Sequence, residues 1–240
     1  MEKENQIVLS DRLQTIADMI CEGSRVADIG TDHGYLPIYL LQKKHPVFVA
    51  ACDINQGPLD HAKRSAAQYG LENEMSFRLG NGLACIAPEE VDTIVIAGMG
   101  GETIAAILEA APWTNSGAYR LLLQPMTKVE YLRPWLTEKG YMIEQERLVY
   151  ENRTYFPVLT VVGGGEKREL TLGEIWGGVA LQNDPLQLDA LQETVRHLSY
   201  AVSGLEKSAL PENKQRAEKY RCIIEQLQSM KEDILHANGS

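Results

Sequence analysis

The residues best suited to chemistry lie in the segment 26–37, which reads VADIGTDHGYLP. Its short apolar run carries one carboxylate, Asp28, to the end of a predicted strand, and Gly30 and Gly34 bracket the polar residues that follow. Glycines at a strand–turn–helix corner let a ligand approach the backbone where side chains would block it. The segment therefore predicts a cofactor-binding corner in which an acid precedes the glycines.

The order of acid and glycines distinguishes two classes of cofactor site. A dinucleotide site has the pattern GxGxxG, which this corner lacks, so an NAD-dependent oxidoreductase is disfavoured. An acid followed by glycines resembles the first motif of Rossmann-like methyltransferases, which use S-adenosylmethionine (SAM). The resemblance implies that Asp28 binds the amino end of SAM, and that backbone amides near Gly30 and Gly34 line its methionine arm.

Two further polar residues follow predicted strands. Asp53 ends the run 47–52, where a ribose-binding carboxylate is expected one βαβ unit after Asp28. The alternative is that Asp53 is an N-cap or turn residue before the next helix. Asn81 follows the run 75–79 and resembles the residue that borders the adenine ring in SAM enzymes, although asparagine is also an ordinary turn residue.

The remaining elements of the first part predict an α/β fold. Apolar runs at 92–97 and 120–123 predict strands buried in a parallel sheet. Two β-rich runs, 141–150 and 155–162, flank a polar turn and predict a hairpin. Helices are predicted to begin at Ser10 and near Pro58. These elements match the Rossmann-like methyltransferase fold, a mostly parallel seven-stranded sheet that ends in an antiparallel hairpin.

The last part of the chain has a different pattern. Three glycines at 163–165 predict a hinge. Apolar residues then recur every three or four positions over 184–208 and again after Pro211, which predicts an antiparallel coiled-coil hairpin. We therefore predict a catalytic domain at 1–165 and a helical domain at 166–240.

Composition sets limits on partners and compartment. The 240 residues carry a formal net charge of −10, which lowers the expectation of nucleic-acid binding because a polyanion requires basic residues. The four cysteines are scattered without a CxxC pair, so neither a metal site nor a disulfide framework is expected. The polar segment MEKENQ is unlike a signal peptide and the apolar runs are strand-sized, so we expect a cytoplasmic protein without membrane contact.

Four short motifs together resemble one family. They are GTDHGYLP at 30–37, AGMGG at 97–101, LQPM at 123–126 and NRTYFPV at 152–158. In combination they resemble the bacterial tRNA (adenine-22-N1)-methyltransferases, which have a Rossmann-like catalytic domain followed by a coiled coil. Asp32 stands where a general methyltransferase has its middle glycine, so this turn departs from the generic pattern.

The family resemblance implies a reaction and a set of site residues. The reaction transfers the methyl group of SAM to N1 of adenine 22 of tRNA, with the adenine flipped into a pocket. The implied catalytic residues are Asp32, Tyr35 and Gln124. The implied cofactor-binding residues are Asp28, Gly30, Thr31, Asp32, Gly34, Asp53, Ile54, Asn81, Gly82, Ala97 and Gly98. The implied tRNA-binding residues are Arg12, Tyr35, Met99, Gln124, Pro125, Arg153 and Tyr155, with a further contact from the coiled coil. Arg12 and Arg153 are the candidates for contacts with phosphate.

Several alternatives stay open at this point. Asp32 is equally well explained as the N-cap of the helix after Gly34, whereas core or hairpin packing is the favoured explanation for Tyr35 and Tyr155. A SAM-dependent methyltransferase acting on a small molecule or protein fits the acidic charge better. The short connections between strands favour a macromolecular substrate, since they leave little chain for a lid. A scaffold that has lost its cofactor is disfavoured by the intact acids and glycines.

Overall fold

The computed structural model describes residues 6–181, 184–208 and 210–238. The polar N-terminal segment lies almost wholly outside them. The chain divides into a first compact unit that ends at Arg168 and a second that begins at Glu169. Among the described residues, no helix combines the length and apolar character needed to cross a bilayer.

The first unit is built on a seven-stranded sheet with the strand order β3-β2-β1-β4-β5-β7-β6. The strands are β1 (Arg25–Ile29), β2 (Phe48–Asp53), β3 (Ser76–Leu79), β4 (Thr93–Gly100), β5 (Arg120–Thr127), β6 (Met142–Glu151) and β7 (Thr154–Val162). Strands β1 to β5 are parallel, whereas β7 runs antiparallel to β5 and to β6. The predicted mostly parallel sheet with a terminal antiparallel hairpin is therefore confirmed.

In the described part of the first unit one α-helix precedes β1 and four connect successive strands. They are α1 (Asp11–Asp18), α2 (Tyr35–Lys43), α3 (Gln56–Gln68), α4 (Gly101–Glu109) and α5 (Val129–Glu138). Helix α1 begins as predicted, because the Ser10 hydroxyl accepts a hydrogen bond from the Leu13 N–H at 3.5 Å. Helix α5 was not predicted: it contains Pro134, which is unfavourable inside a helix, and it starts after Lys128 with no side-chain cap.

The core of this unit lies on both faces of the central strands. Runs of residues in β4 and β5 are fully buried, namely Ile94, Val95, Ile96, Leu121, Leu122 and Leu123. Near-continuous apolar runs are typical of parallel strands that are covered by helices on both sides. A rigid sheet with this core fixes the positions of the residues at its carboxyl edge.

The second unit is a small helical assembly with its own apolar core. It contains α6 (Leu172–Gly177), α7 (Gln187–Leu205) and α8 (Pro211–Asn238). Helices α7 and α8 are antiparallel, because Gln192 near the start of α7 bonds Lys231 in α8 and Glu206 just after α7 pairs with Arg221. Their core consists of Leu191, Val195, Leu198, Ile223 and Leu227. The predicted helical hairpin is present, and its coiled-coil character stays a prediction.

The glycines predicted to form a hinge are packed within the first unit. A Cβ on Gly163 would lie 2.4 Å from the Asn115 backbone, the Gly164 N–H donates to Asn115 Oδ1 at 2.9 Å, and the Gly165 N–H donates to the Gly140 carbonyl at 2.8 Å. These contacts require glycine for close approach rather than for free rotation. The predicted boundary after Gly165 lies close to the division of the two units and stays a prediction.

Candidate active site

A cavity of about 210 Å³ opens at the carboxyl end of β1. Ligands in open α/β sheets bind at this edge, where the strand order changes direction. Many of the residues predicted from the sequence line the cavity: Arg12, Asp28, Gly30, Thr31, Asp32, Tyr35, Ala97, Gly98 and Gln124. Four lining residues were not in the predicted set: Ser10, Leu13, His33 and Leu36. The structure thus brings the first motif, the end of β4 and the end of β5 to one place.

Asp28 is a buried acid at this cavity. It is hydrogen-bonded into the sheet between β2 and β4 and is only 5% exposed. Burial raises the pKa of Asp28 from 3.8 to about 6, the Thr31 hydroxyl opposes this, and the charge of Asp53 adds to it. Within the described part of the chain no basic side chain forms an ion pair with Asp28. A ligand cation at this position would supply the missing positive charge.

The turn after β1 is fixed by backbone hydrogen bonds. The N–H groups of Gly30 and Thr31 both donate to the Cys52 carbonyl, at 2.8 and 3.0 Å, and the Gly34 N–H donates to the Thr31 carbonyl at 2.9 Å. Residues 30, 32 and 34 all have positive φ. These three amides are therefore already bonded and are not free donors for a ligand. The two glycines instead permit the turn's positive φ and close packing, since a Cβ would lie 2.3 Å from Met99 Cε at Gly30 and 3.0 Å from Ala62 at Gly34.

Asp32 lies in this turn with its side chain 67% exposed, and its Oδ2 is 3.6 Å from His33 Nε2. The alternative role as a helix cap is wrong, because the N-cap of α2 is Gly34 and no side chain caps that helix. Its φ of 50° is unusual for a residue with a side chain. The exposed Asp32 carboxylate is thus available to a ligand in the cavity.

Asp53 and Asn81 lie at the ends of β2 and β3, outside the lining of the cavity. Asp53 is 9% exposed, and its Oδ1 accepts a hydrogen bond from the Asn55 N–H at 2.9 Å. The N-cap of α3 is Asn55, so the alternative that Asp53 caps this helix is wrong. The alternative that Asp53 is a turn residue holds for its Oδ1, which bonds the Asn55 N–H. The Gly80 N–H donates to the Asp53 carbonyl at 2.9 Å and so holds the β3 end beside it.

Two apolar side chains are exposed at the same strand ends. Ile54 is 59% exposed after β2, and Leu79 is 54% exposed at the end of β3. Ile54 belongs to the predicted cofactor set, whereas Leu79 was missed, because a leucine at the end of a strand ordinarily indicates core. Gly82 follows with a φ of 56°, and a Cβ there would lie 3.0 Å from Ile107.

Gln124 is fully buried, and its amide is satisfied by neighbours on other elements. Its Oε1 accepts hydrogen bonds from Arg12 Nη1 at 3.1 Å and from the Gly98 N–H at 3.2 Å. Its Nε2 donates to the Pro125 carbonyl at 3.0 Å. Gln124 therefore connects the end of β4 to α1 and leaves little of its amide for a substrate.

Arg12 is held by further partners. Its Nη2 donates to Glu151 Oε1 at 3.2 Å, and its guanidinium lies 5.2 Å from the centre of the Phe156 ring. The Arg12 side chain is 22% exposed. These contacts join α1 to the terminal hairpin, and they favour a positioning role over the predicted contact with a phosphate.

The other predicted tRNA-binding residues do not line the cavity. Met99 follows an irregularity in the β4–β5 pairing, where it lies opposite Pro125, and its Cε occupies the space beside Gly30. Arg153 is exposed at the tip of the hairpin with a φ of 64°. Tyr155 is half-buried, and its ring centre lies 4.6 Å from that of Tyr150.

A stack of rings at the rim was missed. His33 lies 5.2 Å from Tyr35 and 5.3 Å from His61, measured between ring centres. The sequence favoured a hydrogen-bonded structural role for His33, with a general base as the alternative, and no local pattern places His61 of α3 beside it. Asp32, His33 and His61, all exposed, also bring potential metal ligands within 4.8 Å of one another.

Comparison with known proteins extends these observations. Residues 9–159 match the family described as "Methyltransferase domain". The chain is 33% identical over 238 residues to the tRNA (adenine(22)-N(1))-methyltransferase of Bacillus subtilis (strain 168), a match that covers 97% of this chain and 99% of that one.

Solved structures give the same result. The B. subtilis M1A22 tRNA methyltransferase TrmK superposes with a TM-score of 0.83 at 31% identity, over 94% of this chain and 100% of that one. Streptococcus pneumoniae Sp1610 in complex with S-adenosyl-L-methionine, described as a putative tRNA (m1A22) methyltransferase, superposes with a TM-score of 0.78 at 30% identity, over 92% and 100%. With the predicted motifs assembled at one edge of the predicted sheet, the chain belongs to the family of bacterial tRNA (adenine-22-N1)-methyltransferases.

Proposed function

We propose that this protein transfers a methyl group from SAM to N1 of adenine 22 in tRNA. The observation that carries the proposal is the cavity at the end of β1, where the buried Asp28 carboxylate has no basic partner among the described residues. The whole-length similarity to tRNA (adenine(22)-N(1))-methyltransferases supports it over a methyltransferase acting on a small molecule or protein.

The residues at this edge fit SAM. Asp28 offers a negative charge to its amino group, and a Cβ on Gly98 would meet nothing within 4 Å, so that position is open to a ligand. Asp53 at the end of β2 offers a carboxylate to the ribose, and Ile54 and Leu79 offer exposed apolar surface to the adenine ring. Asn81 and Gly82 complete the predicted border of that ring. When bound, SAM supplies an electrophilic methyl group on a sulfonium.

The protein's own residues then have to position the adenine of the tRNA against the methyl group. N1 of adenine carries an in-plane lone pair and is itself a nucleophile, so holding it in line and excluding water accounts for much of the rate. N1 is hidden in a paired base, and the adenine must therefore be flipped out of its stack. Tyr35, which is 42% exposed at the cavity, is placed to stack on the flipped base.

Asp32 is the proposed electrostatic residue. Its exposed carboxylate at the cavity can accept a hydrogen bond from the 6-amino group and stabilise the positive charge that develops on the ring. Gln124 holds the Gly98 amide and so shapes the pocket, together with Met99 and Pro125. Arg153, exposed at the hairpin tip, is proposed to contact a tRNA phosphate.

The helical unit is proposed to contribute a second tRNA contact. Lys214, Arg216 and Lys219 are exposed on α8, whereas Arg221 pairs with Glu206 and Glu218. Because the family's substrate is tRNA, we further propose that the protein acts in the cytoplasm.

The test is incubation with isotope-labelled SAM and an unmodified tRNA transcript, followed by nuclease digestion and mass mapping. We expect one labelled nucleoside, N1-methyladenosine, at position 22. A transcript with guanosine at position 22 is the matched control and should stay unlabelled. Label at another nucleotide, or label that enters only protein or small molecules of an extract, would overturn the proposal.

A further inference from the structure

We propose that the rings of Tyr35, His33 and His61 form a stacking platform for an unpaired base of the substrate tRNA close to the methylated adenine. The inference rests on the proposed function and adds to it a second nucleotide-binding position outside the cavity. It concerns His33 and His61, to which the reaction itself assigns no role.

The three rings form one continuous stack. Tyr35 and His33 are inclined by 17° to each other, and His33 and His61 by only 11°. Centre separations of 5.2 and 5.3 Å are typical of offset-stacked rings. His33 therefore lies between the other two, with Tyr35 at one end of the stack and His61 at the other.

The stack leads outward from the cavity. Tyr35 and His33 line the cavity, whereas His61 comes from α3 and does not. All three side chains are exposed, although flat rings are ordinarily buried at least in part. With the flipped adenine stacked on Tyr35 as proposed, the His61 end of the stack is offered to an unpaired base close to it in the strand rather than to its immediate neighbour.

Charge favours stacking over ionic contact at this rim. The chain has a formal net charge of −10, and the ring in the middle of the stack lies beside the Asp32 carboxylate. Phosphate binding needs basic groups and weakens steeply with salt, whereas every base has a flat face that stacks on an aromatic ring. Base stacking thus gives an acidic enzyme a means of holding tRNA close to its active site.

The experiment uses the full-length enzyme and replaces His61 in two ways. His61→Leu keeps an apolar side chain without a flat ring, and His61→Phe keeps a flat ring that cannot bind a metal ion or carry charge. The matched control is Arg64→Ala, which removes an exposed cation one turn further along α3. For each variant we measure the KM for an unmodified tRNA transcript and the dissociation constant for SAM.

We expect His61→Leu to raise the KM for tRNA at least about fivefold, from the loss of one base–ring stack. His61→Phe should stay within about twofold of the wild type, and SAM binding should be unchanged in both variants. The ratio between His61→Leu and the wild type should stay constant between about 50 and 200 mM salt, because no phosphate contact is lost.

Two results would overturn the inference. One is a KM for His61→Leu equal to that of the wild type or of Arg64→Ala. The other is a loss in His61→Phe as large as in His61→Leu, which would assign His61 to a polar or metal-binding role with Asp32 and His33. If the wild-type enzyme labels no tRNA, the proposed function falls first; if it labels adenine 22 and His61→Leu behaves as the wild type, only the stacking platform falls.

Discussion

The two halves of the sheet's carboxyl edge are built on opposite principles. At the ends of β1 and β2, Asp28 and Asp53 carry charge that is not balanced by an ion pair among the described residues. At the ends of β4 to β7, Gln124 and Arg12 are bonded to one another and to Glu151. The first half has a buried charge left for a ligand. In the second half the principal polar groups bond one another, and only Arg12 Nε and Glu151 Oε2 are buried there without a hydrogen-bond partner among the described residues.

This difference separates binding from positioning. A carboxylate without a partner is costly when buried and gains most from a cationic ligand. A network whose members bond one another gains less from a ligand than an unpaired charge does, and it fixes its own atoms against thermal motion. We therefore expect changes in the first half to alter SAM affinity, and changes in the second half to alter the stability of the fold or the rate of methyl transfer.

The largest effect is expected at the buried ion pair between Arg133 and Glu146, which lies within β6, the strand that carries Glu151 to the second half of the edge. Arg133 donates to Glu146 Oε2 at 3.1 and 2.6 Å, which ties α5 to β6, and both side chains are almost fully buried. Glu146→Ala should lower the free energy of unfolding by about 3–5 kcal/mol, because it removes the carboxylate that pairs with a buried guanidinium. Urea unfolding followed by circular dichroism measures this loss.

Glu144→Ala is the matched control for the ion pair, since Glu144 is exposed on the same strand. It should change the free energy of unfolding by no more than about 0.5 kcal/mol. Equal effects of the two substitutions would show that the pair does not anchor this half of the sheet.

Replacing Asp28, in the first half of the edge, is expected to raise the free energy of unfolding rather than lower it. Its pKa is raised from 3.8 to about 6, so the folded state binds the proton more tightly than the unfolded chain. The resulting stabilisation is present below pH 3.8 and is lost as the pH rises through about 6, a change of about 3 kcal/mol. Asp28→Asn should therefore raise the stability of the ligand-free protein at pH 7 while it weakens SAM binding.

Calorimetric titration of SAM between about pH 5 and 8 completes this test. Wild-type affinity should fall below about pH 6, because the cofactor's amino group requires the ionised carboxylate, and the Asp28→Asn variant should bind weakly at every pH. The exposed Glu72, replaced by Gln, is the control and should change neither quantity. Flat wild-type affinity across this range would contradict the assignment of Asp28.

Local signals in the sequence were sufficient for several features on both sides of the edge. The acid and glycines of the first motif, the helix start at Ser10 and the terminal hairpin each depend on neighbouring residues. Such features are visible because period, capping and turn chemistry act over a few positions. The position of Asp28 at a cavity follows from them once the sheet is parallel.

The second half depends on contacts that no local pattern shows. Arg12 reaches Gln124 across 112 positions and Glu151 across 139 positions of the chain. The sequence therefore suggested a phosphate contact for Arg12, although the fold surrounds it with protein partners. Likewise, Pro134 concealed α5, whose inward face includes Leu132 and Leu136, because packing outweighed its low helix propensity.

Asp53 offers a smaller effect in the first half. One of its oxygens braces the turn to Asn55, and the proposed role of the carboxylate is to accept hydrogen bonds from the ribose. Asp53→Ala should weaken SAM binding by about 1.5–3 kcal/mol, as expected for hydrogen bonds to a charged acceptor. Calorimetry measures this loss, with Glu72→Ala as the control, and unchanged affinity would refute the ribose assignment.

The smallest change in free energy is expected for Arg12→Ala, which should lower the rate of methyl transfer where Asp53→Ala lowers the affinity for SAM. If Arg12 positions Gln124 and through it the Gly98 amide, the substitution should lower kcat for tRNA methylation about tenfold, equivalent to about 1.4 kcal/mol, and leave the dissociation constant for SAM unchanged. If Arg12 instead binds a phosphate, KM for tRNA should rise and its salt dependence should become shallower, with kcat preserved. Arg12→Lys separates these two roles further, because a lysine keeps the charge for a phosphate but cannot bridge Gln124 and Glu151 with a planar fork. A lower kcat in both the Ala and the Lys variant would therefore show that Arg12 positions Gln124. A higher KM for tRNA in the Ala variant alone would instead assign Arg12 to tRNA binding.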